Sequence, residues 1–165
     1  MIVHPIEPLY SEQSEILILG SFPSVKSREQ GFYYGHLQNR FWRVLARIYG
    51  ADTPKSIDEK KAFIIDNKLA LWDVIHSCEI EGSSDSSIKN VVPNDLSVIL
   101  ENSSVRRIFV NGRKAETLYK RYLEAQTGIT ATPLPSTSPA NAAFSEERLV
   151  SLWKSAILPE NDATT

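Results

Sequence analysis

The chain has 165 residues, 42% of them hydrophobic and 23% charged, which fits one globular domain, expected over residues 1–158. A single Cys excludes an internal disulfide, that Cys with three scattered His argues against a structural zinc site, and no apolar run approaches the ~18 residues of a membrane span. The net charge of −2 does not advertise a nucleic-acid binder, but the acidic excess lies in residues 51–101 (five Lys/Arg against ten Asp/Glu), leaving both ends mildly basic.

In chain order, Glu15 to Phe22 reads as a buried strand: Ile16 to Leu19 are all apolar, and Gly20 and Pro23 stop them. Gly20 to Asn39 is expected to be a long, aromatic, non-helical stretch. A helix follows from Asn39 or Arg40 to Tyr49, with Phe41, Trp42, Val44, Leu45 and Ile48 as its apolar stripe. Ser56 to Asn67 predicts a second helix, opened by a capping box of Ser56 with Glu59. Leu69 to Ile75 predicts a second strand, Glu81 to Asn90 a polar loop, and Asn94 to Glu101 a short helix begun by a capping residue. Val105 to Val110 is a third strand ended by Asn111-Gly112, Arg113 to Thr127 a helix, Thr130 to Leu134 a fourth strand, and Ser145 to Ile157 the last helix. Residues 159–165 are expected to be a frayed tail.

Strands alternating with helices imply a parallel sheet covered on both faces. Ligands bind such sheets beyond the carboxyl ends of the strands. Two unusual segments follow the first and last predicted strands and would meet at that edge. The first runs Gly20-Ser21-Phe22-Pro23-Ser24 and then Tyr33 to Trp42, and suits the wall of a pocket for a flat polar ligand such as a base. Plain structural roles stay open: Gly20 and Pro23 shape a turn, Asn39 suits a helix cap, and Tyr33 and Tyr34 suit packing. The second segment, Pro135 to Asn141, is either a polar connector or a rigid hydroxyl-rich loop that binds phosphates. Asp73 fits an anchor better than a base, His36 and His76 fit structural hydrogen bonds, Gly82 to Asp85 fits a turn, and Cys78 fits a small buried hydrophobe. No Walker loop or GxGxxG is present, so no ATP or dinucleotide site is supported.

Four segments in register, Gly20 to Ser24, Tyr34 to His36 with Gln38 to Trp42, Leu71 to Ile75 and Pro135 to Asn141, resemble the uracil-DNA glycosylase superfamily, and within it most closely the hypoxanthine-DNA glycosylase family. The resemblance implies a three-layer α/β/α sandwich around a four-stranded parallel sheet. It implies a monofunctional DNA glycosylase of base excision repair, hydrolysing the N-glycosidic bond of deaminated bases, hypoxanthine above all, with no metal or organic cofactor. The iron–sulfur cluster of some relatives is excluded by the single cysteine. Asn39 matches the family's catalytic asparagine. Ser21, Phe22, Pro23, Tyr33 and Tyr34 would form the base pocket, with Tyr34 stacking on the base. Ser136, Thr137, Ser138 and Asn141 would grip DNA. Phe22 stands where uracil-directed branches carry the Asp or Asn that handles water, so polar catalysis has to come from elsewhere. A uracil or broad-specificity glycosylase and a non-catalytic nucleic-acid-binding module are the competing readings. The expected partner is DNA containing deaminated bases, with the abasic product handed to downstream repair enzymes. A monomer is expected, and because Met1 to Pro5 does not read as a secretory signal, a cytoplasmic one.

Overall fold

The computed structural model describes residues 1–159, so most of the tail expected at 159–165 lies outside the described residues. In chain order the elements are β1 (Ile2–Val3), β2 (Ile16–Gly20), α1 (Val25–Gln30), α2 (Phe41–Ile48), α3 (Ile57–Asp66), β3 (Leu69–Asp73), β4 (Ile75–Glu79), β5 (Lys89–Pro93), α4 (Ser97–Leu100), β6 (Arg107–Asn111), α5 (Arg113–Tyr122), α6 (Glu124–Thr127), β7 (Thr132–Leu134) and α7 (Glu146–Ile157).

Every residue of β2 is buried, so this strand requires a partner on each edge and cover on each face. β3 and β6 flank it in parallel, β7 extends the sheet beyond β6, and the order is β3-β2-β6-β7. The period of two along β2 divides the core. Ile16 and Ile18 join Leu69, Phe109, Phe41, Leu45, Leu149 and Trp153 on the face covered by α2, α3 and α7. Leu17 and Leu19 join Ala70, Ile108, Leu118 and Tyr119 on the face covered by α4 and α5, where Cys78 is also buried. The result is the expected α/β/α sandwich. The Ser56–Glu59 capping box opens α3, and Ser145 caps α7 by accepting from the Arg148 N–H.

Five departures from the sequence reading are local. The stretch Gly20 to Asn39 is not wholly non-helical: α1 lies inside it, capped by Ser24 and ended by Gly31 at φ 72°. Its sequence, Val-Lys-Ser-Arg-Glu-Gln, buries only Ser27 and so carries no apolar stripe. The predicted strand Leu69 to Ile75 is cut at Asp73, and the chain re-enters at Ile75 as β4 of a second, antiparallel sheet in the order β1-β4-β5. Asn94 is a bracket rather than a cap: its buried Nδ2 donates to the carbonyls of Asp73 and Ile75, holding this bend, while α4 starts only at Ser97. The predicted helix from Arg113 to Thr127 breaks at Leu123 into α5 and α6, and the last strand begins at Thr132.

Two buried indoles fix loops at the carboxyl edge of the main sheet. Trp42 Nε1 donates to the Tyr33 carbonyl at 3.2 Å, and Trp153 Nε1 donates to the Pro135 carbonyl at 2.9 Å. Trp153→Phe removes one of these bonds and some core volume. It is expected to cost about 2 kcal/mol, read as a lower urea midpoint with an unchanged slope.

Candidate active site

Each strand of the parallel sheet delivers a polar group to one cavity at its carboxyl end: Asp73 from β3, Gly20 and Ser21 from β2, Asn111 from β6, and Ser136 to Ser138 just after β7. The cavity holds about 300 Å³. Ser21, Phe22, Pro23, Tyr33, Tyr34 and Asn39 line it, as do Ser136, Thr137 and Ser138. The two segments singled out in the sequence do meet. Asn141 lies outside the lining and acts on the loop, its Nδ2 donating to the Ser136 carbonyl.

Asn39 is held through its oxygen. Oδ1 accepts the Phe41 backbone N–H at 3.0 Å and the Thr137 hydroxyl at 2.8 Å. Because a backbone N–H can only donate, the amide orientation is fixed, with Nδ2 left for the cavity. The helix-tether and pocket roles therefore coexist on one side chain. Thr137 was expected to face DNA, but it is fully buried. Its hydroxyl receives a hydrogen bond from Asn111 Nδ2 at 3.1 Å, and its N–H donates to Asn111 Oδ1 at 3.1 Å. A directed chain thus runs from Asn111 through Thr137 to Asn39.

The neighbouring arginine locks the two loops together. The Arg40 guanidinium donates to the carbonyls of Phe144, Ser138 and Asn141, and its N–H to the Thr137 carbonyl. A planar fork with several donors suits this role.

Asp73 is 4% exposed. Its Oδ2 lies 2.7 Å from His4 Nε2, and His4 Nδ1 accepts the Ile6 N–H, which assigns the histidine proton to Nε2. The other oxygen, Oδ1, crowds Gly20: a Cβ there would sit 2.5 Å from it, so only glycine fits. Asp73 is the anchor the sequence suggested, but it also lines the cavity.

Tyr34 adopts φ 53°, a left-handed conformation rare for a bulky residue and one that concentrates at functional sites. One face of its ring stacks on Phe41, centroids 3.8 Å apart, and its hydroxyl is buried without a hydrogen bond. Burial, and next the Asp73 carboxylate, push the Tyr33 and Tyr34 phenols up, so both stay protonated at neutral pH; Asn111 pulls Tyr34 the other way without forming a hydrogen bond to it. The Tyr33 hydroxyl donates to the Glu7 carbonyl at 2.7 Å.

Asn111, Ser83, Asp85 and His36 also line the cavity. Asn111 had a readable signal in its place at the carboxyl end of a strand; Ser83 and Asp85 come from a loop with none. Asp85 is exposed as a residue, and its carboxyl accepts the Ser21 hydroxyl at 3.2 Å. Partial removal of that carboxyl from water pushes its pKa up; the Ser21 hydrogen bond and Lys114 oppose the shift, and the Asp73 carboxylate adds to it. Among the described residues no three His, Cys, Asp or Glu side chains are grouped to hold a metal.

A sandwich whose four parallel strands end in one polar cavity has counterparts. The family model described as the uracil DNA glycosylase superfamily matches residues 7–156. The chain belongs to that superfamily. It is similar to a protein named hypoxanthine DNA glycosylase from Methanosarcina acetivorans, 39% identical over 150 residues covering 90% of this chain and 94% of that one. A protein of the same name from Methanosarcina barkeri is 35% identical over 136 residues, covering 81% and 85%. The solution NMR structure of a candidate uracil DNA glycosylase from M. acetivorans superposes with a TM-score of 0.80 at 37% identity, covering 95% and 96% of the two chains.

The Thr137 hydroxyl helps to fix the orientation of the Asn39 amide. Thr137→Val keeps the shape and deletes the hydroxyl. The expected outcome is about a tenfold lower single-turnover rate of base release with DNA affinity little changed, measured by quench kinetics and by anisotropy.

Proposed function

We propose that the protein is a monofunctional DNA glycosylase that releases hypoxanthine from deoxyinosine in DNA. The observation that carries this reading is the oxygen-locked Asn39, whose amide nitrogen is left for a cavity of about 300 Å³ at the edge of a superfamily fold. That volume is at the low end of the ~300–1,000 Å³ usual for small-molecule sites, which suits one base. The names of the two relatives give the same substrate.

In this mechanism deoxyinosine is flipped out of the stack, and the base lies against the face of Tyr34 that Phe41 leaves free. The C1′–N9 bond breaks with its electron pair passing to the purine, water adds to C1′, and the water proton leaves. Hydrogen-bond donors that meet the departing purine stabilise the transition state more than the ground state. Asn39 serves there through Nδ2; its oxygen, already accepting twice, is not free to activate water. Deamination of adenine converts N1 from an acceptor to an N–H donor. Asp73 Oδ1 accepts from that N–H, whereas the N1 lone pair of adenine would face a carboxylate. Phe22 supplies only apolar wall, which disfavours a strict uracil enzyme. Ser136 and Ser138 contact the DNA backbone. We infer a cytoplasmic monomer that passes its abasic product to the next repair enzyme.

Matched duplexes carrying one hypoxanthine, uracil or xanthine test the reading by free-base release. Hypoxanthine is the expected product. Asn39→Ala is expected to lower that rate by at least about a hundredfold while DNA affinity falls by less than about threefold. Release of uracil alone, or of no base, overturns the assignment.

The more exposed carboxylate, Asp85, takes the water proton. A base acts in its ionised form, so activity should be lost as pH falls through the Asp85 pKa. Because that pKa is raised, the acid limb should lie above that of an ordinary aspartate, and Asp85→Asn should flatten the limb as well as lower the plateau. Single-turnover rates against pH decide; an unchanged acid limb in the variant removes Asp85 from the mechanism.

A further inference from the structure

The carboxylate that reads the base edge in this mechanism is held by a side chain 69 positions away, in the amino-terminal segment. β1 pairs antiparallel with β4, Ile2 opposite Cys78 and Val3 opposite Ser77, and the His4 N–H carries the ladder one step further by donating to the His76 carbonyl at 2.7 Å. Side chains alternate along such a strand. Val3 is exposed, while Ile2 packs on the core behind the small sheet and the His4 side chain is only 2% exposed. The segment beyond is tied down twice more. Leu9 exchanges both backbone hydrogen bonds with Leu71 of β3, and the Glu7 carbonyl accepts the Tyr33 hydroxyl.

The imidazole delivered in this way is fixed on three sides. Nδ1 accepts the Ile6 N–H at 3.2 Å, the ring meets Phe22 edge-on with centroids 5.8 Å apart, and Nε2 donates to Asp73 Oδ2 at 2.7 Å. Among the described residues this is the hydrogen bond made to the Asp73 carboxylate. β3 fixes where Asp73 sits but leaves its carboxylate free to turn about the Cβ–Cγ bond. A single N–H held on Oδ2 removes that freedom and leaves Oδ1 against Gly20, at the cavity.

We propose that His4 is a positioning residue for base reading: by holding Asp73 Oδ2 it orients Oδ1 to accept the ring N–H of hypoxanthine. The proposal rests on the glycosylase reading and on the contact that reading gives to Asp73. It makes the amino-terminal strand, which lies outside all four motif segments, a working part of the site. Packing alone would be satisfied by any apolar ring or branched side chain at this position; orientation of a carboxylate needs a donor.

The test is a double-mutant cycle read by single-turnover release of hypoxanthine from duplex DNA, with each variant first shown to be folded by circular dichroism. His4→Leu is expected to slow release by about tenfold or more while DNA affinity changes by less than about threefold. His4→Gln, whose amide N–H can stand in for Nε2–H, should stay within about threefold of wild type. In an Asp73→Ala background the same His4→Leu change should alter the rate by less than about twofold, because no carboxylate remains to be oriented. If His4→Leu does not fold, His4→Asn, which carries an amide too short to reach Asp73, takes its place in the cycle. Equal losses in both backgrounds, a glutamine variant as slow as the leucine variant, or a leucine variant as fast as wild type overturns the role of His4 and leaves the glycosylase reading intact. Failure of the wild-type protein to release any base overturns that reading, and this role with it.

Discussion

The contact on which the site depends is the one between Asn39 and Thr137. It joins residues 98 positions apart, and each loop is shaped by the other. On one side Asn39 ties to the first turn of α2 through the Phe41 N–H; on the other, Thr137 is gripped at both its hydroxyl and its N–H by Asn111 at the end of β6. Arg40 surrounds this pair with bonds to the carbonyls of Ser138, Asn141 and Phe144. The dipeptide Asn39-Arg40 therefore performs two tasks, one residue presenting an amide to the cavity and the next holding the opposite wall. The first loop is anchored in the cores by Phe22, Phe32 and Tyr33, and directed hydrogen bonds fix it to the second.

The sheet makes this arrangement possible. Parallel strands bring all their carboxyl ends to one edge, so groups far apart in sequence arrive in a row without any long chain excursion. The two cores behind that edge are anchored by Trp153 and Tyr119, both fully buried, and the indole of Trp153 reaches out of its core to the carbonyl of Pro135. Packing deep in the molecule thus sets the start of the loop that carries Thr137.

The framework was legible in the sequence because it is written in apolar periodicity: the run Ile16 to Leu19, the stripe from Phe41 to Ile48, and the Ser56–Glu59 and Ser145 caps all became the elements they indicate. The small antiparallel sheet was not legible. Its strands Ile75–Glu79 and Lys89–Pro93 are mixed in character, and the bend that leads into it is held by Asn94 on two carbonyls, which no local pattern encodes. The same holds for α1, a helix with one buried residue. At the site, composition and position marked the loops and Asn39, but not which way Thr137 turns. A threonine in a Pro/Ser-rich loop reads as solvent-facing until Asn111 is seen to claim both of its polar groups. Asp73 was read as an anchor from the end of its strand; that it also faces the cavity follows only from the absence of a side chain at Gly20.

The cavity concentrates features that would be unfavourable elsewhere. Tyr34 holds a left-handed backbone and a buried hydroxyl without a partner, and Asp73 is a carboxylate almost wholly removed from water. Each of the first two costs on the order of 1–3 kcal/mol, and such groups persist only where surrounding contacts over-determine them. Here those contacts are the Phe41 stack under Tyr34 and the His4 ring against Asp73. The first support comes from the start of α2 and the second from the amino-terminal segment after β1. A polar cavity lined by groups that are already desolvated needs little rearrangement when a base replaces water in it, which is the condition under which fixed dipoles act on a reaction. The fold thus places its instability where a ligand can relieve it, and keeps the apolar cores on either side of the sheet free of buried charge.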